Sequence, residues 1–87
     1  MQVGDIVKSL AGRDKDEYFL VIKVDKLRAT IVDGKIHSIQ NAKEKNVKHL
    51  QTIFPTTDNE IVERIQSGKP VGNERLKQYI KSHTKQI

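Results

Sequence analysis

The chain has 87 residues and no cysteine, and its 16 Lys and Arg outnumber its 11 Asp and Glu, giving a formal net charge of +5. This length favours one small domain with an appendage, and the lack of cysteine excludes both a disulfide framework and a thiolate metal site. The longest apolar stretch, residues 18–22, is too short to cross a bilayer, and the N-terminus lacks a signal-peptide pattern. We therefore expect a cytoplasmic protein without a membrane segment, and the basic excess favours a polyanionic partner.

The first half of the chain is predicted to form β structure. Residues 3–9 are a short β-branched run that ends in a polar stretch containing Gly12, which indicates a first strand followed by a turn. Residues 17–24 combine aromatic and β-branched side chains and predict the central strand.

Two further predictions concern residues 29–50. Asp33-Gly34 lies between the runs 29–32 and 35–39, and this dipeptide is typical of the tight type I′ turn of a β-hairpin. The polar residues 40–46 predict a loop, and residues 47–50 predict a short closing strand. Five short strands favour a closed barrel, since closure removes exposed sheet edges.

After Pro55 the pattern becomes helical. Thr57 and Glu60 have the spacing of a capping box, in which each side chain satisfies a free amide of the first helical turn. Gly68 and Pro70 should end this helix, and Gly72-Asn73 should cap a second one. Both helices carry apolar stripes, which should pack on each other or on the barrel: Ile61, Val62 and Ile65 on the first, and Leu76, Tyr79 and Ile80 on the second.

Residues 3–15, followed by the run 18–24, resemble a KOW motif, in which two strands flank a basic loop marked by glycine. Residues 31–35 and the ending Asn46-Val47-Lys48-His49-Leu50 make the chain similar to KOW proteins of the fourteen-e type of large-subunit ribosomal protein. Many relatives carry a second glycine where this chain has Asp16. The resemblance covers about the first fifty residues and does not extend to the helical tail.

The resemblance implies a small SH3-like barrel over residues 1–53. With the helical pattern of residues 54–87, we therefore expect a mainly β fold with some α, in which a C-terminal helical hairpin follows the barrel. It also implies binding to structured RNA, with Gly12 at the characteristic glycine of the family and Arg13 and Lys15 in the loop that faces RNA. Ribosomal RNA, and with it ribosomal proteins, are the partners that such a ribosomal or ribosome-associated protein would meet.

The charge distribution extends this predicted interface. Residues 35–51 form the densest basic segment, where four lysines and two histidines accompany a single acidic residue, Glu44. Lysines neutralise backbone phosphates and release counterions, although they also keep an exposed strand edge soluble, and a strand histidine is often only structural. The predicted RNA-binding residues are Lys8, Gly12, Arg13, Lys15, Lys35, His37, Lys43, Lys45, Lys48 and His49.

Other functions find less support in the sequence. The aromatic residues are few, which favours recognition of folded RNA over stacking on splayed single-stranded bases. No spacing predicts a metal site, a cofactor cradle or a catalytic triad, so we expect a protein that is not an enzyme and has no cofactor. We also expect it to be monomeric when free. The alternative is an SH3-like protein-interaction module, because a fold does not fix its function.

Overall fold

The computed structural model describes residues 1–56 and 60–85, which form a five-stranded antiparallel sheet followed by two C-terminal helices. The domain is therefore a small mixed α/β unit. Its strands, in chain order, are β1 (Ile6–Ser9), β2 (Tyr18–Val24), β3 (Arg28–Val32), β4 (Lys43–Asn46) and β5 (Leu50–Phe54). The first two agree with the predicted strands, and β1 begins three residues later than expected.

The sheet has the order β4-β3-β2-β1-β5, so β2 lies at its centre. Ile6 pairs with Leu20, and Leu20 pairs in turn with Val32, which aligns three apolar residues across neighbouring strands. Because successive side chains of a strand point to opposite faces, the adjacent residue Val21 serves the other face. The central strand is consequently buried on both sides, as its continuous apolar sequence indicates.

Two clusters of buried side chains cover the two faces of the sheet. One contains Val7, Phe19, Val21, Ala29, Ile31 and Leu50. The other joins sheet residues to the helical tail through Ile6, Leu20, Val32, Ile61, Val71, Leu76 and Ile80. The described part of the helical tail therefore packs on the sheet and shares a hydrophobic core with it.

The two helices are α1 (Glu60–Gln66) and α2 (Asn73–Thr84), as the apolar stripes predicted. Gly68, just beyond α1, has a φ of 72°, the left-handed conformation expected at a helix end. Gly72 is the N-cap of α2, but no side chain caps that helix. The capping box predicted at Thr57 lies outside the described residues. Within residues 1–56 and 60–85, neither helix is long and apolar enough to span a membrane.

The predicted hairpin around Asp33-Gly34 is wrong. Residues 35–39 form no strand, and β3 reaches its antiparallel partner β4 only after a connection of residues 33–42 that contains a 3-10 helix, Ile39–Asn41. The Asp33 carboxylate explains the difference, because it accepts the backbone N–H groups of Lys35 (2.8 Å) and His37 (3.0 Å). This local side-chain turn replaces the tight backbone turn that would have started a returning strand.

The predicted loop 40–46 and closing strand 47–50 also need correction. Residues 43–46 form the edge strand β4. Hydrophobicity does not predict this strand, because its sequence is polar. Val47–His49 forms a 3-10 turn instead, because the Asn46 side chain accepts the Lys48 N–H (2.9 Å) and caps it. The last strand, β5, begins at Leu50, opposite Ser9 of β1, and continues to Phe54.

Candidate nucleic-acid interface

The β1–β2 loop, residues 10–17, is closed at its base by backbone hydrogen bonds. The N–H of Ser9 donates to the Glu17 carbonyl (2.9 Å), and the N–H of Asp16 donates to the Ser9 carbonyl (2.8 Å). Gly12 has a φ of 89°, which a side chain would strain. The loop thus turns at Gly12 and exposes Arg13 and Lys15.

A buried carboxylate holds this loop to the rest of the sheet. Asp14, whose side chain is 7% exposed, accepts hydrogen bonds from Lys45 Nζ (2.6 Å), Ser9 Oγ (2.7 Å) and Lys43 Nζ (2.8 Å). Burial alone would raise the pKa of the Asp14 carboxyl, but the bonds from Lys43, Lys45 and Ser9 outweigh it and hold this pKa well below its usual value. Asp14 is therefore charged at neutral pH and fixes the loop from within.

Two residues of the predicted interface have their ammonium groups engaged by this carboxylate. Lys45 also donates to the Ala11 carbonyl (2.7 Å), and its side chain is only 10% exposed. Lys43 is 35% exposed and keeps one side toward solvent. The two lysines lie two residues apart on β4, so their side chains point to the same face of the sheet. Lys45 is thus placed to support the loop from inside, while Arg13 and Lys15 occupy its surface.

Asp16 has a φ of 72° and is the one non-glycine with positive φ among the described residues. This is the position where the resemblance leads one to expect a second glycine, and Asp is among the few other residues that tolerate the left-handed conformation. Its carboxylate lies 3.6 Å from Lys8 Nζ, so the predicted contact residue Lys8 has an acidic neighbour.

The 3-10 turn Val47–His49 connects the β1–β2 loop to the turn between β2 and β3. At one end the Val47 N–H donates to the Leu27 carbonyl (2.9 Å), and at the other the His49 carbonyl accepts the Leu10 N–H (2.8 Å). A three-residue 3-10 turn is about 6 Å long, so the backbones of Leu27 and Leu10 lie within about 12 Å of each other. Lys48 and His49 are exposed on this turn, beside the β1–β2 loop.

The last two predicted residues, Lys35 and His37, lie on the connection 33–42, beside the acidic end of the β1–β2 loop at Asp16 and Glu17. They line a groove of about 780 Å³ between the connection 33–42 and α2, together with acidic side chains that include Glu17 and Glu74. The His37 ring is half-buried, with its centroid 6.2 Å from that of Phe19. The groove carries charges of both signs and is not the continuation of a basic surface.

Two basic residues that the sequence did not single out lie beside the 3-10 turn. The β2–β3 turn, residues 25–28, contains Lys26 and ends at Arg28, the first residue of β3. Arg28 pairs with Asn46, the residue that caps Val47–His49. Lys26 and Arg28 lie close to the 3-10 turn because β3 pairs with β4. The connection between these two strands, residues 33–42, is the one that the sequence predicts wrongly. The available signal was the short motif Asp25-Lys26-Leu27-Arg28, a polar turn between two strands.

Neither metal ligands nor relatives identify the ligand of this surface. Within residues 1–56 and 60–85, no group of His, Asp and Glu side chains is arranged to hold a metal ion. No protein-family model matches the sequence, and a search of curated proteins finds no significant match. Charge, shape and exposure of the described residues are therefore the basis for a functional assignment.

Proposed function

We propose that the chain is an RNA-binding protein that grips folded RNA of the ribosomal type through phosphate contacts, as a ribosomal or ribosome-associated component without enzymatic activity. The β1–β2 loop carries this proposal. Its exposed cations Arg13 and Lys15 lie on either side of Asp14, whose buried carboxylate holds the loop in place. No ion pair engages either cation among the residues described. A fixed loop loses little conformational freedom on binding, which leaves more of the phosphate attraction as affinity.

We propose further that the sheet is an SH3-like barrel of the KOW type. The seven residues of β2 extend about 20 Å. Leu27 lies just beyond one end of β2, and Leu10 follows β1 beside the other end, yet their backbones come within about 12 Å through the 3-10 turn. Such an approach requires a strongly curled sheet. The bonds from Lys43 and Lys45 of the edge strand β4 to the β1–β2 loop support the same curvature.

The positions of the aromatic side chains favour recognition of shape and phosphate over stacking on bases. Phe19 is fully buried, and Tyr18, Phe54 and Tyr79 pack against the core of the helical face. Proteins that bind single strands need exposed aromatic platforms. The exposed cations Arg13, Lys15 and Lys48 supply charge for a phosphate backbone instead.

The proposal is tested by measuring the affinity of purified large-subunit ribosomal RNA, folded with Mg²⁺, at a series of salt concentrations. Arg13→Ala and Lys15→Ala should each reduce the salt slope by roughly one unit, because each removes a charge that releases counterions. Glu63→Ala, in an exposed position of α1, should leave the slope unchanged. Asp16→Asn should strengthen binding, because it removes the acidic neighbour of Lys8 while Asn still tolerates positive φ.

Binding that is insensitive to salt, or tighter to an unstructured oligonucleotide than to the folded RNA, would contradict the proposal. So would folded Arg13→Ala and Lys15→Ala variants with wild-type affinity and slope. The SH3-like protein-interaction module would then be the better account, and the groove that contains Ile36 and Tyr18 beside α2 would be the place to examine.

A further inference from the structure

The β2–β3 turn presents an exposed leucine between two cations in a fixed conformation. The Asp25 carboxylate accepts the N–H groups of Leu27 (2.8 Å) and Arg28 (2.8 Å), and the Asp25 N–H donates to the Arg28 carbonyl (2.9 Å). The backbone donors of Arg28 and Leu27 lower the pKa of Asp25, so the carboxylate that holds the turn is charged at neutral pH. Leu27 is 66% exposed at the tip.

This turn adjoins the surface assigned above to RNA. The Leu27 carbonyl accepts the first N–H of the 3-10 turn that carries Lys48, and the other end of that turn is bonded to Leu10 at the start of the β1–β2 loop. The cations Lys26, Arg28 and Lys48 are exposed, and no ion pair engages them within the described part of the chain. The basic surface thus runs from the β1–β2 loop across the 3-10 turn to the β2–β3 turn.

We propose that the β2–β3 turn is a second RNA contact, in which Lys26 and Arg28 bind phosphates and Leu27 packs on a ribose or base face. The inference rests on the proposed function and extends its site beyond the KOW-like loop. A nucleic-acid duplex carries one phosphate per roughly 1.7 Å of axis. The stretch of about 12 Å from Leu10 in the β1–β2 loop to Leu27 in the β2–β3 turn therefore faces several phosphates. A leucine fixed between two phosphate-binding cations lies close to the sugar and base edges that connect those phosphates.

The test uses the same folded ribosomal RNA and salt series, with variants of the full chain. Lys26→Ala and Arg28→Ala should each reduce the salt slope by roughly one unit, whereas Leu27→Ala should weaken binding about fivefold with the slope unchanged, since it removes apolar contact only. Lys69→Ala is the charge control, because Lys69 is exposed between α1 and α2. Ile36→Ala is the apolar control, because Ile36 is 76% exposed on the connection 33–42. Both controls should bind as the wild type does.

The outcomes separate this inference from the proposed function. Wild-type affinity and slope in the Lys26, Leu27 and Arg28 variants, with reduced slopes in Arg13→Ala and Lys15→Ala, would overturn the second contact alone. Equal loss in Ile36→Ala and Leu27→Ala would also overturn it. A wild-type protein without salt-dependent binding to the folded RNA would overturn both proposals. Poly-glutamate that competes as well as RNA would identify a general polyanion surface and overturn the assignment of this turn to RNA.

Discussion

Replacing Asp14 with Ala tests whether the buried carboxylate organises the β1–β2 loop. The substitution removes the acceptor of hydrogen bonds from Lys45, Lys43 and Ser9. Lys43 is partly exposed and can turn to solvent, but the Lys45 side chain is 10% exposed and would keep only the Ala11 carbonyl. Removing one partner of a buried ion pair costs about 3–5 kcal/mol, so we expect Asp14→Ala to lower the free energy of unfolding by about 3 kcal/mol.

Urea unfolding followed by circular dichroism at pH 7 measures this loss, and Asp16→Asn is the matched control, because Asn tolerates the positive φ of this position. Asp16 lies two residues away in the same loop, but its side chain is 66% exposed and its ion pair with Lys8 is long at 3.6 Å. An exposed pair of this kind contributes at most about 1 kcal/mol. Unfolding free energies of Asp14→Ala and wild type within about 0.5 kcal/mol of each other would refute the role of the network.

The same comparison has a defined pH dependence. The pKa of Asp14 is lowered in the folded protein, so its contribution to stability is complete above the unfolded-state pKa of about 3.9 and is lost as pH falls toward the folded value. At pH 3 the unfolded chain already binds this proton and the folded one does not. The difference between wild type and Asp14→Ala should therefore shrink by about 1 kcal/mol between pH 7 and pH 3.

Two further predictions concern packing and use the same unfolding assay. Gly34 and Gly68 have φ angles of 78° and 72°, so each change to Ala should cost about 1 kcal/mol in strain. Only at Gly34 would the new methyl also collide with a neighbouring group, the Asn73 carbonyl at the start of α2. Gly34→Ala should therefore cost about 3 kcal/mol in all, and equal losses at both glycines would refute the close approach. Leu76→Ala should cost about 3 kcal/mol because the side chain is fully buried, and Leu27→Ala no more than about 0.5 kcal/mol because it is 66% exposed. A comparable loss in both leucine variants would contradict the assignment of Leu76 to the core shared with the sheet.

The parts of the fold predicted correctly are those where apolar periodicity determines structure. β2 is a run of aromatic and β-branched residues, and the stripe of α2 that includes Leu76 and Ile80 is buried as its spacing indicates. The errors fall where a polar side chain competes for the backbone. Asp33 and Asn46 each accept a nearby N–H, and each stands just before a segment, 35–39 and 47–50, that the sequence predicts as strand but that begins with a turn.

β4 illustrates a different limit. Its sequence, Lys43-Glu44-Lys45-Asn46, contains no residue with strong β propensity, and its pairing with β3 provides the order that its own side chains do not. A single sequence contains no direct signal for such a strand, because the partner lies across the connection 33–42. The position of Lys45 beside the β1–β2 loop depends on this pairing, and it could not be predicted from the sequence.

Counting basic residues along the chain therefore gives an incomplete measure of the charge that faces a ligand. Lys43 and Lys45 belong to the densest basic segment, yet both neutralise Asp14, and Lys8 has Asp16 as its neighbour. The exposed cations that no ion pair engages among the described residues come from separate elements, and they include Arg13 and Lys15 of the β1–β2 loop, Lys48 of the 3-10 turn, and Lys26 and Arg28 beside it. A lysine that already neutralises a carboxylate displaces fewer counterions from the RNA phosphates, so the salt slope of RNA binding should reflect the exposed cations and not the number of lysines in the segment. The pairing of Asp14 with Lys43 and Lys45 then acts by positioning, since it fixes the loop that carries Arg13 and Lys15, and this loop is bonded at Leu10 to the 3-10 turn that carries Lys48.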